Sequence, residues 1–143
     1  MPDGWAWCRG ASCFLPMESR KPSGSHFKYI DIDSIDNKHQ TIKKAKITET
    51  HKASSRASRA VFAGSVLFSL VRPYLKNIAL VNIGNADSIA STGFYIATSN
   101  GTFIPTYLYV LMISSYTVDG LNQFMKGDNS PSINKDNIEK WLY

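Results

Sequence analysis

Four polar side chains between residues 31 and 52 have the types and spacing for metal-assisted hydrolysis. Asp31 and Asp33 are two residues apart, so on a β-strand their carboxylates would share one face. Paired carboxylates can hold Mg²⁺ for phosphodiester cleavage, and Glu49 and Lys52 are close in sequence. These residues define one hypothesis, a small magnesium-dependent nuclease. An ordinary half-exposed strand accounts for the same alternation without any chemistry, and we favour that interpretation.

The cysteines and histidines give weaker signals. Cys8 and Cys13 form one C-x4-C pair with no second pair and no histidine at ligand spacing, which favours reduced thiols over a zinc site or a disulfide. His26, His39 and His51 lie in polar, loop-like sequence that is typical of surface residues. The chain has no GxGxxG, GxxxxGK[ST], HExxH or GxSxG pattern, so the usual nucleotide-binding, metallohydrolase and serine-hydrolase signatures are missing.

The positive charge is concentrated in the first half of the chain. The protein has 143 residues and a formal net charge of +5. Residues 20–60 carry ten of the sixteen lysines and arginines and four of the eleven acids, a local balance of +6, whereas residues 61–143 carry five of each. A one-sided basic surface is typical of proteins that bind polyanions. A basic face that only maintains solubility accounts for the charge equally well.

Length and composition predict a single globular domain over residues 1–143. Apolar residues make up 43% of the chain and charged residues 19%. The most apolar run, FIPTYLYVLMI at residues 103–113, is about half the roughly 20 residues that a membrane-spanning helix needs, and it contains a proline. The N-terminus lacks the pattern of a signal peptide. We therefore expect no membrane partner and a cytoplasmic location.

The elements that would position these residues form an α+β domain. Strand-like runs occur at GWAWC, KYIDIDSI, AGSVLFSLV, KNIALVNI and SIASTGFYIATS, the last interrupted by Gly93. The segment DNKHQTIKKAKITET predicts a hairpin-like excursion, and KASSRASRAVF predicts a helical turn or two capped at Ser54 or Ser55. Apolar spacings of three and four predict helices in IPTYLYVLMISS and YTVDGLNQFM, and INKDNIEKW predicts a short one. The expected fold is a twisted, mostly antiparallel or mixed β-sheet followed by helices.

The segment SLVRPYLKNIAL places a proline between two apolar runs. Pro73 cannot donate to a strand ladder, so we expect one strand to end there and another to begin at NIALV. The turn between them would project Arg72, Tyr74 and Lys76 from the rim of the sheet. Arginine can bind guanine through two hydrogen bonds, and lysine more often meets phosphate. Internal pairing of Arg72 and core packing of Tyr74 is the alternative.

Several segments, taken in order, resemble the target recognition domain of a type I restriction-modification specificity subunit. PDGWAWCR is similar to the opening of that domain, YIDIDSID to its next strand, and SRASRAVFAGSVLFSLVRPYLKNIALV to its most characteristic segment. IASTGFYI and MKGDNSPSINKDNIEKW resemble the segments that follow, so the similarity covers nearly the whole chain. The family continues from this point into a spacer helix and a second recognition domain. We therefore expect the chain to be half of a specificity subunit.

This resemblance implies a non-catalytic module that reads one half of a two-part DNA site. The implied partners are double-stranded DNA, the methyltransferase subunits and, indirectly, the restriction and translocase subunit. S-adenosylmethionine, ATP and Mg²⁺ would belong to those subunits, and we expect this chain to bind no cofactor.

The resemblance also implies which residues contact DNA. The family keeps the VRPYLKN motif while its members read different sequences, so Arg72, Tyr74 and Lys76 are expected to contact the DNA backbone or support the scaffold. Arg56 and Arg59 would share a face of the predicted helical turn and meet phosphates. Sequence readout then falls to three loops, because Asn and Gln can read adenine, and Lys or Arg guanine. The candidates are Arg20, Lys21, Ser23, Ser25 and Lys28 in the first loop, Asn37, Lys38, His39, Gln40 and Lys43 in the second, and Lys126, Asn129 and Ser130 in the third. Ordinary solvent-facing loops would have the same composition.

Overall fold

The computed structural model describes residues 2–143, which form nine strands and four α-helices. The strands are β1 (His26–Ile30), β2 (Ile35–Asp36), β3 (Thr41–Ile42), β4 (Lys46–Glu49), β5 (Ala57–Ala60), β6 (Val66–Ser69), β7 (Ile78–Leu80), β8 (Ile89–Ser91) and β9 (Phe94–Ala97). The helices are α1 (Gly10–Cys13), α2 (Pro105–Ile113), α3 (Ser115–Asn122) and α4 (Lys135–Lys140). This order confirms the α+β class, with three helices after the last strand. No helix within residues 2–143 is long and apolar enough to cross a membrane.

The strands are divided among three sheets. A mixed sheet has the order β4-β1-β8-β5, in which β1 pairs antiparallel with β4 and parallel with β8. An antiparallel sheet has the order β7-β6-β9, and β2 and β3 form a separate hairpin. Mixed and antiparallel pairing is as expected. The chain passes from the mixed sheet to the antiparallel sheet at Gly93, because β8 and β9 lie on either side of this residue in different sheets.

Strand β6 runs through the centre of the molecule and is buried on both faces. Its side chains alternate, so Val66 and Phe68 pack with Leu108 and other residues of the helices, while Leu67 packs with Ile30 and the residues around β2 and β3. The β7-β6-β9 sheet is therefore a middle layer between the helices and the basic first half. An uninterrupted apolar run such as SVLFSLV is typical of a strand in this position.

The segment GWAWC is not the strand that its composition predicts. Residues 4–8 are irregular, and backbone pairing with the C-terminal segment begins only at Cys8. The amide of Cys8 donates to the carbonyl of Tyr143 at 3.0 Å, and the amide of Tyr143 donates back to Cys8 at 2.7 Å. Trp5 and Trp7 instead lie against aromatic side chains of α2 and α3, with ring centroids 5.5 and 5.6 Å apart.

The two cysteines at this end of the molecule are free thiols. Both Sγ atoms donate to the carbonyl of Arg9, Cys8 at 3.4 Å and Cys13 at 3.2 Å. Cys13 is fully buried, and this burial raises the pKa of its thiol to about 12. Cys13 therefore behaves as a small core side chain rather than as a nucleophile.

The predicted helical turn in KASSRASRAVF is wrong, because this segment becomes strand β5. β5 pairs with β8 on one edge, and residues 18–20 cover its other edge, where the amide of Ala60 donates to Glu18 at 3.0 Å. Pairing on both edges outweighs the helical preference of the alanines and arginines. Side chains alternate along a strand, so Arg56 and Arg59 do not share a helical face.

The predicted strand in KYIDIDSI is interrupted after Ile30. Residues Ile32–Ser34 form a turn of 3-10 helix, after which β2 begins. The carboxylate of Asp31 accepts a hydrogen bond from the amide of Ile32 at 2.8 Å, and the hydroxyl of Ser34 accepts one from the amide of Asp31 at 3.1 Å. This reciprocal cap outweighs the alternating pattern. The prediction that Asp31 and Asp33 share one face of a strand is therefore wrong.

Candidate nucleic-acid interface

The acids proposed for metal chemistry are each used as local partners. Asp31 caps the 3-10 turn, and the carboxylate of Asp33 lies 2.9 Å from the ammonium of Lys46, which holds the pKa of Asp33 below its usual value. Glu49 lies 3.4 Å from Lys52. Within residues 2–143, no three or more His, Cys, Asp or Glu side chains are arranged to hold a metal ion. The arrangement gives no support to the nuclease hypothesis.

The loop of the β2–β3 hairpin is held in one conformation by Asp36. Its carboxylate accepts hydrogen bonds from the amides of Lys38 at 3.0 Å and His39 at 3.3 Å, and it lies 2.8 Å from the Nδ1 atom of His39. These contacts, with the His39 ring first, hold the pKa of Asp36 below its usual value. The imidazole of His39 is thus a partner of Asp36, whereas the side chain of Lys38 is exposed.

The same hairpin loop is anchored to the helical layer through Gln40. Gln40 has a left-handed backbone, with φ at 53°, and its side-chain amide donates to the carbonyl of Asn37. Its own carbonyl accepts a hydrogen bond from the hydroxyl of Tyr109 in α2 at 2.7 Å. These contacts fix the loop against the helical layer, and Lys43, which follows strand β3, is exposed.

In the first loop, two of the predicted DNA-binding cations already have partners within the chain. The guanidinium of Arg20 donates to the carbonyls of Ala86 at 3.2 Å and Ser88 at 3.0 Å, so it fixes the entry to β8. The ammonium of Lys28 lies 3.3 Å from the carboxylate of Asp87. Lys21, with an exposed side chain, has neither kind of contact. Of these three, Lys21 is the residue best placed to meet a phosphate.

The VRPYLKN segment turns at Pro73, as predicted, through the 3-10 helix Pro73–Leu75. The guanidinium of Arg72 donates to the carbonyl of Asn129 at 2.7 Å, so Arg72 holds the third loop against this rim. Tyr74 is 45% exposed and does not pack in the core. The arginine thus has the internal, supporting role, and the tyrosine is left on the surface.

The remaining candidates are spread around the fold. The Nη2 atom of Arg56 lies 3.4 Å from the position that a Cβ would take on Gly93, so this guanidinium covers the β8–β9 turn. The Nε of Arg59 is buried without a hydrogen-bond partner among residues 2–143. The three third-loop candidates, Lys126, Asn129 and Ser130, are exposed, and their loop lies against the VRPYLKN segment, where the amide of Arg72 donates to the carbonyl of Pro131 at 2.8 Å. The structure does not bring all predicted residues into one surface.

A subset of the lysines does form one basic surface. Lys21, Lys43 and Lys44 are exposed, and within residues 2–143 none has a carboxylate within 4.0 Å. Two shallow depressions of about 360 and 450 Å³ lie on this surface, and both are lined by Ile47. The first also contains Arg20, Lys21, His26 and Lys28, and the second contains Lys43, Lys44 and Lys46. Lys38 is also exposed, but it lies in the β2–β3 hairpin loop and lines neither depression. We call this surface, with both depressions, the basic face.

Sequence reasoning placed Lys21, Lys38 and Lys43 in DNA-binding loops but missed Lys44, Lys46 and Ile47. The run KKAK at residues 43–46 was the available signal, since it is the densest cluster of cations in the chain. Nothing in the sequence could show that Lys46 pairs with Asp33, because these residues belong to different elements.

The chain is similar in structure to known proteins. Neither a protein-family model nor a curated protein matches the sequence. The crystal structure of the HsdS subunit from Thermoanaerobacter tengcongensis matches with a TM-score of 0.88 and 35% identity. A chain from a study of complex assembly and conformational transition of the type I R-M system matches with a TM-score of 0.90 and 35% identity. Both matches cover 99% of this chain. The chain has the target recognition domain fold of HsdS subunits.

The match confirms the resemblance inferred from the sequence segments and the α+β fold that it implied. This HsdS-type domain spans 38% of the length of each of the two HsdS chains that it matches. Which residues contact DNA stays a prediction.

Proposed function

We propose that this HsdS-type domain is a non-catalytic DNA-recognition module that reads one half of a two-part site for a type I restriction-modification complex. The observation that supports this most directly is the similarity to HsdS subunits over 99% of the chain at 35% identity. The basic face adds independent support, because its three lysines without acidic partners, Lys21, Lys43 and Lys44, are available to phosphates.

In this proposal the domain contributes recognition, and other subunits perform the chemistry. Its partners are duplex DNA, methyltransferase subunits and, through them, the restriction and translocase subunit. S-adenosylmethionine, ATP and Mg²⁺ bind to those subunits, and the complex acts on DNA in the cytoplasm. One of the two matching structures comes from a study of type I R-M complex assembly, which is consistent with such partners.

The residues divide into three roles. Lys21, Lys38, Lys43 and Lys44 meet phosphates, which positions the duplex without reading its sequence. The hairpin loop held by Asp36 presents its side chains at a fixed position, and a fixed position is needed for hydrogen bonds to base edges. Arg20 and Arg72 support the loops through backbone carbonyls.

The test is a selection from a pool of randomised DNA duplexes, carried out on the whole chain at about 50 mM salt because non-specific affinities fall steeply with salt. Retained duplexes are sequenced. We expect enrichment of a motif of a few base pairs, and incubation of plasmid DNA with Mg²⁺ should leave it intact. Retention without any sequence preference, or no retention, would contradict the proposal. Mg²⁺-dependent cleavage that Asp31→Asn abolishes would favour the nuclease instead.

A further inference from the structure

Strands β1 and β4 extend beyond their sheet as a two-stranded ribbon. β1 pairs with β4 over four residues, His26 to Tyr29, but it pairs with β8 only at Tyr29 and Ile30. β4 is the edge strand of the sheet. Residues 26–28 and 47–49 are therefore paired only with each other in this sheet. A two-stranded antiparallel ribbon has a width that fits the major groove of B-DNA.

Ile47 is an exposed apolar side chain on this ribbon. It is 65% exposed, and it is the only exposed large hydrophobic side chain between residues 16 and 61. The β1–β4 register places it directly opposite Lys28, so the two side chains project from the same face. A side chain with this exposure contributes little to the core, although a β-branched residue favours the strand itself.

The acids around Ile47 are neutralised by nearby cations. Asp33 is paired with Lys46 at 2.9 Å, and Asp87 is paired with Lys28 at 3.3 Å. Glu49 lies 3.3 Å from His51 and 3.4 Å from Lys52. The lysines without such partners lie on both sides of Ile47, and they are Lys21 in one depression and Lys43 and Lys44 in the other. Phosphates are thus attracted on either side of a side chain that cannot form hydrogen bonds.

We propose that Ile47 contacts the C5-methyl group of a thymine in the major groove, while the flanking lysines meet phosphates. The thymine methyl is the apolar feature that a base pair presents in the major groove, and an aliphatic side chain is the natural partner for it. This inference rests on the proposed function. It adds a specificity-determining residue and the base that it reads.

The experiment replaces thymine by uracil, which removes the methyl group and keeps every hydrogen-bonding group. Each thymine of the selected duplex is replaced in turn, on both strands, and affinity is measured for the wild-type chain and for Ile47→Ala. We expect uracil at one position to weaken wild-type binding about fourfold, the equivalent of one buried methyl group. Ile47→Ala should bind the thymine duplex more weakly and should not distinguish thymine from uracil there. Ile47→Val should keep part of the discrimination.

A matched control is Ile104→Ala, since Ile104 is also exposed, at 71%, and lies outside the basic face. This variant should keep the wild-type response to uracil, and thermal unfolding of all variants checks that they are folded. Sequence-specific binding without a uracil-sensitive position would overturn the inference and leave the proposed function standing. A uracil effect that persists in Ile47→Ala would also overturn it. Binding without sequence preference would contradict both this inference and the proposed function.

Discussion

At the scale of single residues, the VRPYLKN turn carries backbone strain at both of its ends. Arg72 and Lys76 flank the Pro73–Leu75 helix with left-handed backbones, φ 45° and 56°. For Arg72 the cost is offset, because its amide donates to Pro131 at 2.8 Å and its guanidinium donates to Asn129. Within the described part of the chain, residues 2–143, the one hydrogen bond of Lys76 is the turn bond from its amide to the carbonyl of Pro73, at 3.0 Å. The strain at Lys76 thus has no tertiary compensation from its side chain.

Replacing Lys76 by glycine and by alanine separates this strain from the lysine charge. Both substitutions remove the charge, but only glycine adopts a left-handed backbone without steric cost, so Lys76→Gly should be about 1 kcal/mol more stable than Lys76→Ala. Denaturant unfolding measures the difference. If Lys76 meets a phosphate, both variants should lose the same affinity for duplex DNA. Equal stability of the two variants would show that the left-handed backbone is not strained, and unchanged affinity would assign Lys76 to the scaffold.

Residue types in this region could be predicted from the sequence, but their partners could not. Arg20, Lys21 and Lys28 are all basic and lie in one predicted loop. Arg20 and Lys28 are nevertheless engaged with residues 59 to 68 positions away, whereas Lys21 is exposed. Such pairings depend on which strands become neighbours, and no local pattern encodes them.

At the scale of elements, local patterns succeeded where an element's own side chains decide its structure. Helices α2 and α3 and strands β6 and β7 follow from apolar spacing and from the proline between the two strands. β5 was mispredicted because its structure depends on β8 and on residues 18–20, which are distant in sequence. The two short strands around Asp31 were misread because a cap at one residue outweighs an alternating pattern of eight.

The packing of α3 against the C-terminal segment gives a prediction for this scale. Gly120 lies against the indole of Trp141, and a Cβ at this position would overlap the six-membered ring. Gly120→Ala should therefore destabilise the fold by about 1–3 kcal/mol, as overpacking does. Trp141→Phe removes much of that ring, together with an indole N–H that is buried without a partner. The loss of stability in the double variant should accordingly be smaller than the sum of the losses in the two single variants.

Thermal and denaturant unfolding of the four proteins measure this coupling. Gly84→Ala is the control, because a Cβ there would meet only an ordinary contact, 3.6 Å from the side chain of Asn82. We expect this control to change stability by no more than about 0.5 kcal/mol. Additive effects of Gly120→Ala and Trp141→Phe on the free energy of unfolding would contradict the prediction, because they would show that residue 120 and the Trp141 ring are not energetically coupled.

At the scale of the whole molecule, charge and core are segregated. The helices and the β7-β6-β9 sheet contain the larger hydrophobic cluster, and the half of the chain from residue 61 onward is electrically neutral. The +6 balance of residues 20–60 lies on short strands and loops that need few apolar residues. This separation allows the basic face to vary without disturbing the core, as a recognition surface requires.

The segregation predicts a specific response of DNA binding to salt. Each lysine that meets a phosphate adds about 0.9 to the slope of log affinity against log salt concentration, because a counterion is released. Lys43→Gln combined with Lys44→Gln should therefore lower the slope by about 2. Lys135→Gln combined with Lys140→Gln removes the same charge from exposed positions in α4 and should leave the slope unchanged. Titrations of a labelled duplex between about 50 and 200 mM salt measure both slopes. Equal reductions in the two variants would mean that net charge, rather than the basic face, drives binding. Both pairs of lysines are exposed and carry the same charge, so only a localised contact with phosphates can distinguish them.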